Sequence, residues 1–125
     1  MAGRIEVVAA TVVAFTPIAA PVVVPLFFNE GRVDAIEIIV PPGPSGLVGF
    51  KVRHSAQVII PYSGNAFIVT DDEKIHWPLE NFPTGRAWDC VIYNLDIFPH
   101  TITFRFLVTD AAPALALPPL VSIGA

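Results

Sequence analysis

The chain has 125 residues and a mass of 13.4 kDa, which suits one domain with a single hydrophobic core. Its 7 basic side chains are scattered and outnumbered by 11 acidic ones, which argues against a surface that binds nucleic acid. Apolar residues make up 54% of the sequence and charged residues 14%, whereas an average chain has about 25% charged residues. So few charges do not cover the surface of a soluble monomer, and we expect part of the apolar surface to face other protein subunits.

Short strands are predicted throughout, because thirteen prolines and eight glycines interrupt the chain at short intervals. No segment keeps a helical apolar period for three turns. In chain order the predicted strands span residues 4–16, 22–28, 33–40, 47–53, 57–60, 66–70, 75–79, 87–94 and 101–108. The seventh of these strands contains Pro78 and is expected only at the edge of a sheet. The pattern predicts an all-β fold, an antiparallel two-sheet sandwich of about eight strands that is jelly-roll-like, with extended apolar arms at both termini.

The N-terminal segment, residues 1–28, is predicted to form a strand followed by a proline-rich apolar arm. Residues 7–29 carry no charged side chain and are long enough to span a bilayer. However, Pro17, Pro21 and Pro25 recur every four residues, and each would interrupt a membrane-spanning helix. We therefore expect no membrane partner.

Residues 29–110 are predicted to form the sandwich core. Two of its strands alternate between apolar and polar residues, which is typical of an antiparallel sheet with one buried face. In these strands Phe50, Val52, Phe104 and Phe106 fall on the apolar face. We predict that these four side chains form the centre of the core.

Residues 111–125 are predicted to form a second extended arm. They contain no charged side chain and three prolines. A free disordered tail is normally polar and charged, so this apolar segment is expected to lie along a neighbouring subunit.

No motif for catalysis or metal binding stands out. His54, His76 and His100 lack the spacing of metal ligands, and the acidic run 71–73 is interpreted as a solvated turn. Cys90 is the only cysteine, so no disulfide within the chain is possible, and a buried, inert thiol is expected. A GxSxG nucleophile motif and a GxxxxGK[ST] phosphate loop are both absent. We therefore predict no enzyme activity, no cofactor and no metal.

Four large aromatic residues leave two interpretations open. Trp77, Trp88, Tyr62 and Tyr93 would line a glycan-binding sheet if they were exposed together. Aromatic side chains among valines and isoleucines in a sandwich more often belong to the core, which is the preferred interpretation.

Four short motifs stand in the middle of the chain: PPGxxGLxG at 41–49, IPY at 60–62, DDE at 71–73, and NxDxxPHxxxxR at 94–105. Through them, residues 37–108 resemble small β-sandwich virion structural proteins of tailed bacteriophages, of the capsid-decoration or the neck and tail type. The resemblance implies a subunit that repeats in a symmetric shell or collar and is attached to its neighbours by extended termini.

The sequence thus suggests a virion structural protein, in the first place a capsid decoration or cementing subunit that forms an oligomer and stabilises the particle. A neck or tail component and a glycan-binding module are the alternatives. The expected partners are copies of the chain itself and a major capsid or other virion protein, in a virion assembled in the host cytoplasm. The candidate assembly residues lie in the two terminal segments: Pro17, Pro21, Val23, Pro25, Leu115, Leu117, Leu120, Val121 and Ile123.

Overall fold

The computed structural model describes residues 3–28, 31–61, 66–83 and 87–110. This part of the chain forms strands and no helix. The strands are β1 (Gly3–Val12), β2 (Val22–Leu26), β3 (Gly31–Val40), β4 (Val48–His54), β5 (Gln57–Ile60), β6 (Ile68–Val69), β7 (Glu73–Pro83), β8 (Trp88–Asn94) and β9 (His100–Asp110). Within these residues, nothing forms a helix long and apolar enough to cross a bilayer.

The strands form two antiparallel sheets, which confirms the predicted sandwich. Sheet A has the order β1-β9-β3-β7, and sheet B has the order β2-β8-β4-β5, with β6 paired to β4. Apart from β6, the strands pair from the two ends of the chain inward: β1 with β9, β2 with β8, β3 with β7, and β4 with β5. The chain is therefore one long hairpin wound across two sheets, which is the jelly-roll arrangement.

The core lies between the sheets and contains the four residues that the alternation selected. Phe50, Val52, Phe104 and Phe106 are each at most 1% exposed. The rings of Phe50 and Phe104 form a T-shaped pair with 5.8 Å between centroids, a favoured aromatic geometry. The prediction for the centre of the core is confirmed.

The first strand is shorter than predicted, and the seventh is longer. β1 ends at Val12 because the next residues turn away, and Thr16 instead forms an isolated bridge to Asn94. β7 extends over Glu73–Pro83 and lies at the end of sheet A, as predicted for a strand that contains Pro78. Proline is tolerated there because the edge of a sheet does not require its missing N–H group.

The winding places the connections at two opposite ends of the sandwich. The first end carries residues 13–21, 41–47, 70–72 and 95–99, because β1, β3 and β8 end there while β4, β7 and β9 begin there. β9 ends at the other end, where Asp110 lies opposite Gly31. We call the first of these the loop end.

Candidate assembly surface

Exposed apolar side chains concentrate at the loop end. Twelve large apolar residues of the described chain are exposed, and seven of these belong to three loops at this end. Phe15 is 70% exposed and Phe98 is 60% exposed, although both are large aromatic residues. We call these seven residues the loop-end surface: Val13, Phe15, Ile18, Leu47, Leu95, Ile97 and Phe98. Such a concentration of apolar side chains is typical of a contact site.

The buried side chain of Asn94 holds two of these loops in place. Its Nδ2 donates to the carbonyl oxygens of Val12 at 3.0 Å and Phe98 at 2.8 Å. Its Oδ1 accepts a hydrogen bond from the backbone N–H of Asp96 at 2.9 Å. Asn94 is 0% exposed, so one amide connects the end of β1 with the loop between β8 and β9.

Backbone hydrogen bonds join the same loops to one another. Thr16 and Asn94 exchange a pair of bonds of 2.7 and 2.9 Å, and the N–H of Phe15 donates to the Asp96 oxygen at 3.1 Å. The N–H of Leu95 donates to the oxygen of Leu47 at 2.8 Å, which links the third loop. Because the loops are bonded to each other, the loop-end surface is a fixed feature of the fold.

Phe15 is held in an unusual backbone conformation. Its φ angle is 60°, in the left-handed region that a bulky residue rarely adopts. Such a conformation costs free energy and persists only where the surrounding structure enforces it. Here the hydrogen bonds of Phe15 to Asp96 and of Thr16 to Asn94 enforce it, and the ring stays exposed to solvent. The chain thus maintains a strained turn that displays an aromatic side chain.

An acid–base pair supports the β8–β9 loop from inside. The Nε2 of His100 lies 2.7 Å from the Oδ2 of Asp96, and both side chains are at most 15% exposed. The hydrogen bond with His100, and then the bond donated by the N–H of Ile97, hold the pKa of Asp96 below its usual range. The charged form of Asp96 is therefore favoured by folding.

This pair makes the stability of the loop sensitive to acid. Because the pKa of Asp96 is lower in the folded than in the unfolded chain, its contribution is present above about pH 4 and is lost as the pH falls further. We expect the urea midpoint of the wild type to drop more between pH 5 and pH 3 than that of Asp96→Asn. Equal drops, measured by circular dichroism, would contradict the role of this carboxylate.

Two acidic side chains near the loop-end surface accept local hydrogen bonds. In the fourth loop of this end, the Oδ1 of Asp71 accepts a hydrogen bond from the N–H of Gly43 at 2.9 Å. Thr70 donates to the carboxylate of Glu73. Asp71 and Glu73 thus take part in a hydrogen-bonded turn beside the loop-end surface, whose seven exposed side chains are all apolar and fit an apolar partner.

The candidate assembly residues of the N-terminal segment lie in two places. Pro17 and Pro21 belong to the loop between β1 and β2, and Pro17 is exposed. Val23 and Pro25 lie in β2 and point outward from sheet B, where Val23 is 45% exposed. The remaining candidates lie outside the described residues: Leu115, Leu117, Leu120, Val121 and Ile123.

The histidines and the cysteine occupy separate places. His76 lies 3.4 Å from a carboxylate oxygen of Glu37, and the ring of His54 packs on Trp88 with 4.7 Å between centroids. Cys90 is buried, and this burial, followed by the charge of Asp89, raises the pKa of its thiol. Among residues 3–28, 31–61, 66–83 and 87–110, no group of three His, Cys, Asp or Glu side chains is placed to hold a metal ion.

Of the four tryptophan and tyrosine residues considered for a glycan-binding sheet, the three in the described chain are buried or partly buried: Trp77, Trp88 and Tyr93. Trp88 is 0% exposed, and Trp77 packs partly buried against the core. Tyr93 is 6% exposed, although it lies on the outer face of sheet B, because its ring covers Gly49 and meets the ring of Phe67 at 5.0 Å. A Cβ atom on residue 49 would lie 2.3 Å from the Tyr93 ring, so this packing requires glycine. The core interpretation is confirmed for Trp88. Tyr93 is buried on the outer face of sheet B rather than in the core between the sheets, and Tyr62 lies outside the described residues.

Comparison with known proteins adds no relative: no family model, no curated protein and no solved structure matches the chain.

Sequence reasoning did not find the loop-end surface. Its members come from residues 13–18, 47 and 95–98, which are far apart in the chain. The available signal was the group of apolar residues around Pro99, within the motif that contains Asn94, Asp96 and His100. From the sequence alone, residues 95–100 are only the connection between the predicted strands 87–94 and 101–108.

Proposed function

We propose that the chain is a structural subunit that works by assembling with other protein subunits, and that its assembly is a virion. Within the virion, the proposed role is that of a capsid decoration or cementing protein. The observation that carries the assembly function is the loop-end surface, where three hydrogen-bonded loops expose seven large apolar side chains. Exposing Phe15 and Phe98 to water does not stabilise an isolated monomer, whereas burying aromatic residues stabilises an interface.

The low charge of the whole chain supports the same proposal. Only 14% of the residues are charged, and subunits of permanent assemblies bury more apolar surface than free monomers do. The placement of the proposal in a virion comes from the resemblance of residues 37–108 to phage structural proteins. The jelly-roll fold is compatible with this role, but a fold shared by many functions carries no function by itself.

The assembly function is tested by measuring the mass of the full chain in solution. Light scattering coupled to size exclusion should give a multiple of 13.4 kDa for the wild type. The double substitution Phe15→Ser and Phe98→Ser should reduce this mass, because both changes remove exposed apolar surface without changing the core. A wild type that stays monomeric at micromolar concentration would refute the proposal.

A matched control separates the loop-end surface from exposed apolar residues in general. Ile5 and Val7 on the outer face of β1 are 50% and 59% exposed, so Ile5→Ser with Val7→Ser removes comparable surface elsewhere. This control should keep the wild-type mass. If it dissociates and the loop-end variant does not, the contact lies on sheet A instead.

The proposed place of the chain in a virion is tested with antibodies raised against the purified chain. They should label virus particles purified from the source culture in negative-stain micrographs. Labels over the whole shell indicate decoration, whereas labels at one vertex or along the tail indicate the neck or tail alternative. Particles without label would refute the virion assignment and leave the assembly function to the mass measurement.

A further inference from the structure

The loop-end surface and the end of β9 lie at opposite ends of the sandwich. The loop end carries the loop-end surface, and β9 leads away from it, from His100 to Asp110. At about 3.4 Å per residue, the eleven residues of β9 separate the two ends by about 34 Å. Asp110, the residue that precedes 111–125 in the sequence, therefore lies at the end opposite the loop-end surface.

The chemistry of these fifteen residues fits the loop-end surface. They include five large apolar residues and no charged side chain. The loop-end surface is also uncharged, and the neighbouring Asp96 and His100 are hydrogen bonded to each other. Pro113, Pro118 and Pro119 restrict the unbound segment, which lowers the entropy lost when it binds.

The segment is poorly placed to cover the loop-end surface of its own chain. Fully extended, fifteen residues span about 50 Å. Returning along the sandwich would use about 34 Å, or ten residues. Leu115, Leu117 and Leu120 would then lie beside the strands, and only the last five residues would remain for the surface. A second copy placed end to end brings its loop-end surface directly to residue 111.

We infer that the loop-end surface binds residues 111–125 of a second copy of this chain, so that copies join head to tail. This inference rests on the proposed function, since it names the partner of the same surface. Each copy then offers one segment and one surface. A contact of this kind is heterologous, so repeated copies form a closed ring or an open filament rather than a dimer with two equal halves.

The test uses two full-length variants with complementary defects. The surface variant carries Phe15→Ser and Phe98→Ser and keeps its segment. The segment variant carries Leu117→Asp and Leu120→Asp and keeps its surface. In analytical ultracentrifugation, each variant alone should sediment as a monomer. Their equimolar mixture should form a one-to-one dimer of twice the chain mass and nothing larger, because only one intact segment and one intact surface can meet.

The outcomes separate this inference from the proposed function. If the segment variant assembles like the wild type, the surface binds itself or another region, and the inference is overturned while assembly stands. If each variant is monomeric and their mixture is monomeric too, an intact segment on one copy does not bind an intact surface on another. The inference is then overturned as well. The Ile5→Ser and Val7→Ser control should assemble with the wild-type mass. Circular dichroism of each variant checks that the strands are retained. A wild-type chain that is itself monomeric would refute the proposed function.

Discussion

Replacement of Phe104 by alanine should destabilise the protein by about 3–5 kcal/mol, the range measured for large buried aromatic residues. Phe104 is 0% exposed and lies in the middle of β9, between Val8 of β1 and Ile38 of β3. Its ring also packs edge-on against Phe50 from the opposite sheet. The substitution removes this ring contact between the sheets and leaves a cavity that neighbouring strands cannot fill without breaking their hydrogen bonds. The free energy of unfolding in urea measures the effect.

The neighbouring residue supplies the control. Arg105 points out of the opposite face of β9, where its guanidinium lies 3.3 Å from a carboxylate oxygen of Glu37. Its side chain is 33% exposed, and partly exposed ion pairs contribute only about 0–1 kcal/mol. Arg105→Ala should therefore cost far less than Phe104→Ala. The reverse order would mean that the register of β9 is inverted.

The alternation of apolar residues predicted the core because it depends on neighbouring residues alone. In β4 and β9, every second side chain enters the core, and a one-residue shift would expose all of them. The prediction of two sheets followed from the number of strands. The pairing of β1 with β9 was not predictable in this way, since it joins residues about a hundred positions apart.

The end of the first strand shows where local reasoning failed. Residues 12–15 are apolar and partly β-branched, so the pattern predicted a strand as far as residue 16. The strand stops at Val12 because Asn94, at the end of β8, binds Thr16 and Asp96, in the loop between β8 and β9, binds Phe15. That loop lies about eighty residues later in the sequence. The same distant contact creates the loop-end surface, so both features require the folded chain.

Replacement of Asn94 by alanine is expected to be the most damaging polar substitution in the described chain. It would leave the oxygens of Val12 and Phe98 and the N–H of Asp96 without their partner. Each buried polar group left unsatisfied costs about 1–3 kcal/mol. Partial access of water to Phe98 and Asp96 reduces the sum, and we expect a loss of about 2–4 kcal/mol in urea unfolding.

Two further substitutions separate the hydrogen bonds of Asn94 from its packing. Asn94→Asp keeps the shape but replaces the donating NH₂ by an oxygen that faces two carbonyl oxygens, so it should be at least as destabilising as alanine. Leu95→Ala changes the next, 43% exposed side chain and leaves the backbone bond to Leu47 intact. It should cost little. If Asn94→Asp retained wild-type stability, packing rather than hydrogen bonding would hold the loops.

The Asn94→Ala variant should also lose self-association under conditions in which it remains folded. All seven apolar residues of the loop-end surface are still present in this variant, so their composition is unchanged. What changes is the attachment of the β8–β9 loop to the end of β1, and with it the conformation that displays Phe15. A binding surface depends on such preorganisation, because ordering mobile loops on binding costs free energy. Sedimentation of folded Asn94→Ala as an assembly of wild-type mass would show that the apolar residues suffice without a fixed arrangement.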